Sequence, residues 1–220
     1  MSMVLPRLLL MGAVLLTLLF ATAAHARLPE LRVSDNHRFL VTDEGDPFFW
    51  LGDTAWRLFY NANREEVEMY LQDRRAKGFN IIQAVALSWT LDENAYGDKP
   101  LVDNDPLKPV EAFWKNVDWI VRRANELGLY LGFLPTWGDQ VVSSKVVNAS
   151  NARAYGRWLG QRYRDADLVW ILGGDQPAKG FLDVWRELAA GLKEGDGGRH
   201  LMTYHPRGWQ SSSQWLHKEP

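Results

Sequence analysis

Leu168-Val169-Trp170-Ile171-Leu172-Gly173-Gly174-Asp175 drives apolar side chains into a core and then stops at an acid. A buried strand that ends in Gly-Gly-Asp sets a carboxylate at the mouth of a sheet. In parallel α/β architectures the chemistry sits at the C-terminal ends of strands, where variable loops stand on a rigid scaffold. Asp175 is therefore the leading catalytic candidate. The same tripeptide also suits a turn followed by a helix N-cap, two roles that Asp favours. This segment alone leaves the two readings level.

Working outward, the same pattern recurs. A turn-rich β-hairpin over residues 31–47 feeds a first core strand, residues 48–51, that ends at Gly52-Asp53-Thr54 with Ala55-Trp56 following. Residues 64–77 carry the helical period and Gly78 stops them. Residues 79–87 read as a strand buried on both faces, with Gln83 its polar exception. The long segment 88–109, with Trp89 near its start, is placed over the site, because long loops in compact domains are usually functional. An amphipathic helix over 109–126 buries Phe113, Trp114, Val117, Ile120 and Val121, an aromatic stripe that is core and not a sugar box. A third buried strand, 129–134, opens at Pro135-Thr136-Trp137-Gly138-Asp139, where Trp137 is well placed for ligand stacking. Helices over 148–164 and 181–192 flank the Gly-Gly-Asp strand, and a last strand, 201–205, closes with Pro206-Arg207-Gly208-Trp209.

Strand and helix alternate until five strands and four helices have passed, which fits right-handed parallel crossovers. A doubly wound open sheet would want a glycine-rich phosphate loop after its first strand, and Gly52-Asp53-Thr54-Ala55-Trp56 has one glycine and bulky aromatics. The expected fold is α/β, a (β/α)8 barrel of the TIM-barrel type behind a short N-terminal β-hairpin. Such barrels need eight strands and about 250 residues. Here about five strands are present.

Composition narrows the function classes. With 46% hydrophobic and 24% charged residues the chain is ordinary globular material. Arg7, an apolar run over 8–20 and Ala24-His25-Ala26 make a signal peptide, residues 1–26, with cleavage after Ala26. The unbroken apolar run is shorter than the roughly 20 residues of a spanning helix, so no stable membrane insertion is expected after cleavage. The location expected is secreted or periplasmic, with residues 27–220 as the barrel domain. Of 25 Lys and Arg, loss of Arg7 leaves 24 against 27 acids, which gives no reason to expect nucleic acid as a partner. The absence of cysteine excludes disulfides, thiolate metal sites and a Cys nucleophile. The five histidines are scattered with no H-x-x-x-H pair, no G-x-S-x-G elbow occurs, and no metal or cofactor is called for.

What the strand ends present is Asp53 and Trp56, Gln83 and Trp89, Trp137 and Asp139, Asp175, then His205 and Arg207. Carboxylates, an amide, indoles and an imidazole on one face describe a cleft for an oligo- or polysaccharide. Glycoside hydrolysis needs two carboxylates, one to protonate the leaving oxygen and one to attack the anomeric carbon or activate water. Asp175 takes the acid role, its pKa to be raised by burial against Trp170 and Ile171 or by a second carboxylate.

Four motifs carry a family resemblance: Phe49-Trp50-Leu51-Gly52-Asp53-Thr54-Ala55-Trp56, Lys77-Gly78-Phe79-Asn80-Ile81-Ile82-Gln83, Trp170-Ile171-Leu172-Gly173-Gly174-Asp175 and Thr203-Tyr204-His205-Pro206-Arg207-Gly208. In this order they resemble the apiosidase-like glycoside hydrolases, secreted (β/α)8 enzymes of the large retaining clan known for removing apiose from plant pectin side chains. The resemblance implies that Asp175 is the acid/base at the end of the fourth barrel strand. Asp53, Gln83, Trp137 and His205 match in position and are expected sugar contacts, as are Trp56 and Trp89. In that clan the nucleophile is a carboxylate on the seventh strand, and this sequence stops before a sixth. Either the sequence is a fragment of a longer protein or the product is truncated; the leading reading is the catalytic half of a secreted glycosidase, with a non-catalytic carbohydrate-binding protein or an inactive remnant as the alternatives. Residues 27–220 alone are predicted to show no retaining hydrolysis. Sugar release by that purified segment from a suitable glycoside would contradict this.

Overall fold

The computed structural model describes residues 27–214, so the expected signal segment lies outside the described residues. Eight strands and six helices alternate along them. Strands β1 (Leu31–Val33), β2 (Leu40–Thr42) and β3 (Pro47–Phe48) form a small antiparallel sheet, and β4 (Gly52–Thr54), β5 (Ile81–Leu87), β6 (Tyr130–Thr136), β7 (Leu168–Gly173) and β8 (Met202–His205) a parallel one. The helices are α1 (Leu58–Asn61), α2 (Arg64–Ala76), α3 (Glu111–Glu126), α4 (Asp139–Val142), α5 (Ala152–Arg162) and α6 (Leu182–Asp196). The parallel strands neighbour one another in chain order, with no reversal. Right-handed crossovers without a reversal put every helix on one face and curl the sheet, as in a barrel.

Two expectations shift at the start. The hairpin is a three-stranded sheet, and the first core strand begins at Gly52, not at Phe48. Phe49 and Leu51 are exposed. No strand ladder holds this stretch, so the Asn80 amide does: it accepts from the Leu51 N–H at 2.9 Å and donates to the Phe49 carbonyl at 2.7 Å. The N-terminal segment and its small sheet pack at the entry ends of the parallel strands. Tyr130, at the entry to β6, donates to the Pro29 carbonyl at 2.5 Å and meets Phe48 edge-on, while Asp167, just before β7, accepts from Arg27 and the Leu28 N–H.

Side chains alternate across a strand, and register carries that alternation from strand to strand. Asp53, Ile82, Leu131 and Leu168 are paired across the sheet and share one face; Thr54, Gln83, Gly132 and Val169 share the other. The first face packs on the helices: Ile82, Ala84, Ala86, Leu131, Phe133, Trp170 and Tyr204 bury against Phe113, Trp114, Val117, Leu188 and Leu192. Each large side chain buried there is worth about 1.5–3 kcal/mol. The concave face is smaller and separate, with Val85, Leu134, Trp137 and Ile171 packed beside Trp50 and Trp56.

Helix α2 forms where Asn63 and Glu66 cap each other reciprocally, with acids in its first turn and Arg74 and Arg75 in its last. Helices α5 and α6 touch backbone to backbone: a Cβ on Gly156 would lie 2.5 Å from the Leu188 carbonyl, and one on Gly191 would strike that of Arg153. At the end of α6, buried Asp196 accepts from Trp170 Nε1 at 2.8 Å and the Gly198 N–H at 2.8 Å, and meets His200 Nδ1 at 2.9 Å. Burial would raise its pKa, but the bonds from His200, Trp170 and Gly198 outweigh that and hold it below the usual aspartate range. A depressed folded pKa contributes stability above the unfolded value, near 4, that is lost as pH falls through the folded one. Thermal melts should therefore show an acid limb below about pH 4 that flattens in Asp196→Asn, which should also lose ~1–3 kcal/mol at neutral pH.

Candidate active site

Strand β7 leaves the sheet through three consecutive residues of positive φ: Gly173 at 93°, Gly174 at 105° and Asp175 at 57°. Only glycine fits the first two. A Cβ on Gly173 would strike the His205 carbonyl, and one on Gly174 would lie 2.8 Å from the Gly138 nitrogen and 2.9 Å from the Trp137 ring. The Gly174 N–H donates to the His205 carbonyl at 3.0 Å, and the Gly138 N–H donates to the Gly174 carbonyl at 3.1 Å. This turn ties the ends of β6, β7 and β8 together. Asp tolerates the left-handed region better than most residues, yet the conformation still costs on the order of 1–3 kcal/mol.

The turn brings the Asp175 carboxylate within 2.9 Å of His205 Nε2. The carboxylate side chain is 58% exposed and the imidazole 27%. Helix α6 starts at Leu182 with Phe181 as its N-cap, so Asp175 caps no helix. Of the two roles open to Gly-Gly-Asp, presentation at the sheet mouth is the one observed. Trp170 does not cover the carboxyl, because it lies on the helix face bonded to Asp196; Ile171 lies on the concave face.

Around this pair stands an aromatic group. The Trp137 ring lies 5.3 Å from Trp56, 5.4 Å from Trp89 and 5.7 Å from His205, and Trp56 lies 5.4 Å from His205. Trp137 was expected as an open stacking platform, but it is 6% exposed and serves as the floor. Trp56 is half-buried and Trp89 exposed. A cleft of about 380 Å³ opens on the other side of His205, lined by Trp50, Gln83, Ile171, Thr203, Arg207 and Trp209 among others. The Gln83 side chain shares the concave face with Gly132, where a Cβ would lie 2.8 Å from it, and with Gly52, where a Cβ would strike Trp50 at 2.7 Å. Its amide makes no side-chain hydrogen bond among the described residues and lines the cleft.

Asp53 is a correction. Its register partner is Ile82, so its side chain faces the helices, where Tyr70 and Arg74 each donate to Oδ2 at 2.9 Å. It anchors α2 and does not join the others. The long loop also differs from expectation. Ser88 to Thr90 edge the site, but further along Tyr96 accepts from the N–H of Arg64 at the start of α2 and the Pro100 carbonyl accepts from Trp114 of α3. Asp139 accepts from Gln176 at 3.2 Å. Trp50 and Thr203 were not singled out from the sequence; counting one alternation back from His205 along its strand would have found Thr203. Among the described residues no three His, Cys, Asp or Glu converge as metal ligands, and no helix is long and apolar enough to cross a membrane.

The model of the apiosidase-like catalytic domain matches residues 34–220. A glycoside hydrolase family 5 structure from Bacteroides vulgatus is 33% identical with a TM-score of 0.80, over 87% of this chain and 43% of its own. A second glycoside hydrolase structure is 36% identical with a TM-score of 0.80, over 87% and 44%. The catalytic domain of a Thermobifida fusca endoglucanase shares the fold at 14% identity and a TM-score of 0.58, over 87% and 60%. The chain thus spans less than half the length of the first two. No curated protein matches it.

Gly174→Ala tests the turn. It should destabilise the protein by ~2 kcal/mol or more and weaken the near-UV CD of the indole group, whereas an unchanged melt and spectrum would show that the turn relaxes freely.

Proposed function

The chain belongs to the apiosidase-like catalytic-domain family, and we propose that it supplies the acid/base half of a retaining glycoside hydrolase acting on side chains of plant or other complex polysaccharides. The observation that carries the reading is the Asp175–His205 pair, 2.9 Å apart beside a group of indoles. His205 Nε2 engages one carboxyl oxygen of Asp175 and leaves the other for the glycosidic oxygen. The proton passes from Asp175 to that oxygen as the C–O bond breaks, and a second carboxylate captures the anomeric carbon. Asp175, now ionised, takes a proton from the water that releases the sugar. The nucleophile belongs to a seventh barrel strand, and the five strands described here do not supply it. Trp56 and Trp89 offer ring faces to the apolar side of a sugar, and Gln83 an amide to its hydroxyls. Arg7, the apolar run 8–20 and Ala24-His25-Ala26 support export to the periplasm or exterior.

Apiose-bearing pectin oligosaccharides are the substrates to try first. Asp175→Asn should bind them within about twofold of the parent, while in any polypeptide containing this chain that releases sugar it should lower kcat by ~10²–10⁴-fold. Unchanged kcat would remove Asp175 from the chemistry, and binding without any turnover in such a polypeptide would favour a carbohydrate-binding protein.

A further inference from the structure

We infer that Arg57 is a positioning residue that fixes Trp89 as a preset wall of the sugar site, an inference that rests on the carbohydrate reading above. Arg57 follows Trp56 beyond the end of β4, and its side chain is only 17% exposed, laid against the ring of the core residue Tyr60. Its guanidinium is divided among one helix and one loop. Nε donates to Asn61 at 3.1 Å, Nη1 to the Ser88 and Thr90 hydroxyls at 3.2 and 2.7 Å, and Nη2 to Asp92 at 3.1 Å. Thr90 in turn donates to Asp92 at 2.7 Å. The bonded residues Ser88, Thr90 and Asp92 bracket Trp89, and the guanidinium carbon lies 5.6 Å from the Trp89 ring centre and 4.6 Å from that of Tyr60.

The same short stretch is held from the opposite side. Buried Gln140, in α4, donates to the carbonyls of Ser88 and Trp89 at 2.7 and 3.1 Å, and Ser144 donates to its other amide atom at 2.6 Å. Gln140 therefore fixes the backbone of Trp89 and Arg57 fixes its flanks and ring. Yet the indole remains 42% exposed. An aromatic ring that is exposed but held in place loses little freedom when a ligand stacks on it, and this is how preorganisation raises affinity. Lys cannot take the place of Arg57, because one ammonium cannot reach all four acceptors and also stack on two rings. The placement also links Arg57 to the chemistry: Trp89 packs on Trp137, and Trp137 packs on His205.

The test has two arms on the whole chain. In the first, 5-fluorotryptophan is incorporated and the Trp89 fluorine resonance is identified by its loss in Trp89→Phe. Arg57→Met and Arg57→Lys should both shift or broaden that resonance; a Trp89 signal unchanged in both overturns the inference. In the second, calorimetric titration with apiose-bearing pectin oligosaccharides compares the parent, Arg57→Met, Trp89→Ala and the double variant. Arg57→Met should weaken binding ~5–10-fold, and the double variant should bind no more weakly than Trp89→Ala, because Arg57 acts through the ring. Losses that multiply independently would make Arg57 a general structural residue and overturn the inference. A resonance that shifts in a protein that binds no oligosaccharide would uphold the positioning and overturn the carbohydrate reading instead. Should Arg57→Met not fold, Arg57→Lys serves in both arms.

Discussion

Three residues of positive φ in a row, Gly173, Gly174 and Asp175, are the constraint on which the site depends. The turn is forced by contact, since β8 lies so close that only hydrogen can occupy the Cβ position of Gly173. The same turn bonds to β8 through the His205 carbonyl and to the loop after β6 through Gly138. A single backbone device therefore fixes the separation of three strand ends. It also aims Asp175 at the His205 imidazole. The exposed carboxylate gets its position from the backbone and from His205, with no apolar cover from Trp170.

The curled sheet explains why the concave face can carry such chemistry. All large-scale packing takes place on the other side, between the sheet and its helices, where Trp114, Trp170, Phe113 and Phe133 are fully buried. That core tolerates no ligand. The concave face is left with few aliphatic residues and with glycines at 52 and 132 that make room for Trp50 and Gln83. Stability and function are thus divided by side-chain parity, one residue apart along every strand.

Parity also marks how far the sequence could be read. Strand and helix alternation, the parallel sheet and Asp175 at its mouth were legible, because uniform apolar runs ending in polar residues leave few other folds. The positions of His205, Trp56 and Trp89 beside that mouth were legible for the same reason. Asp53 was not, since a strand of three residues shows no alternation, and only its pairing with Ile82 reveals that it faces the helices. Phe48 to Leu51 looked like core by composition, but Phe49 is exposed and the stretch is held by Asn80, a contact across the fold that no local pattern displays. Trp137 was correctly placed at a strand end, but neighbours from two other loops bury it. Arg57 carried little local signal: apart from Asn61, its acceptors lie 31 to 35 residues downstream.

The most direct measurement is a crystal structure of the Asp175→Asn variant with an apiose-bearing pectin oligosaccharide bound. The account predicts a glycosidic oxygen within hydrogen-bond distance of the residue-175 side chain, a sugar ring against Trp89 or Trp56, and a hydroxyl on the Gln83 amide. An oligosaccharide seated elsewhere, with the residue-175 side chain touching only His205, would contradict it.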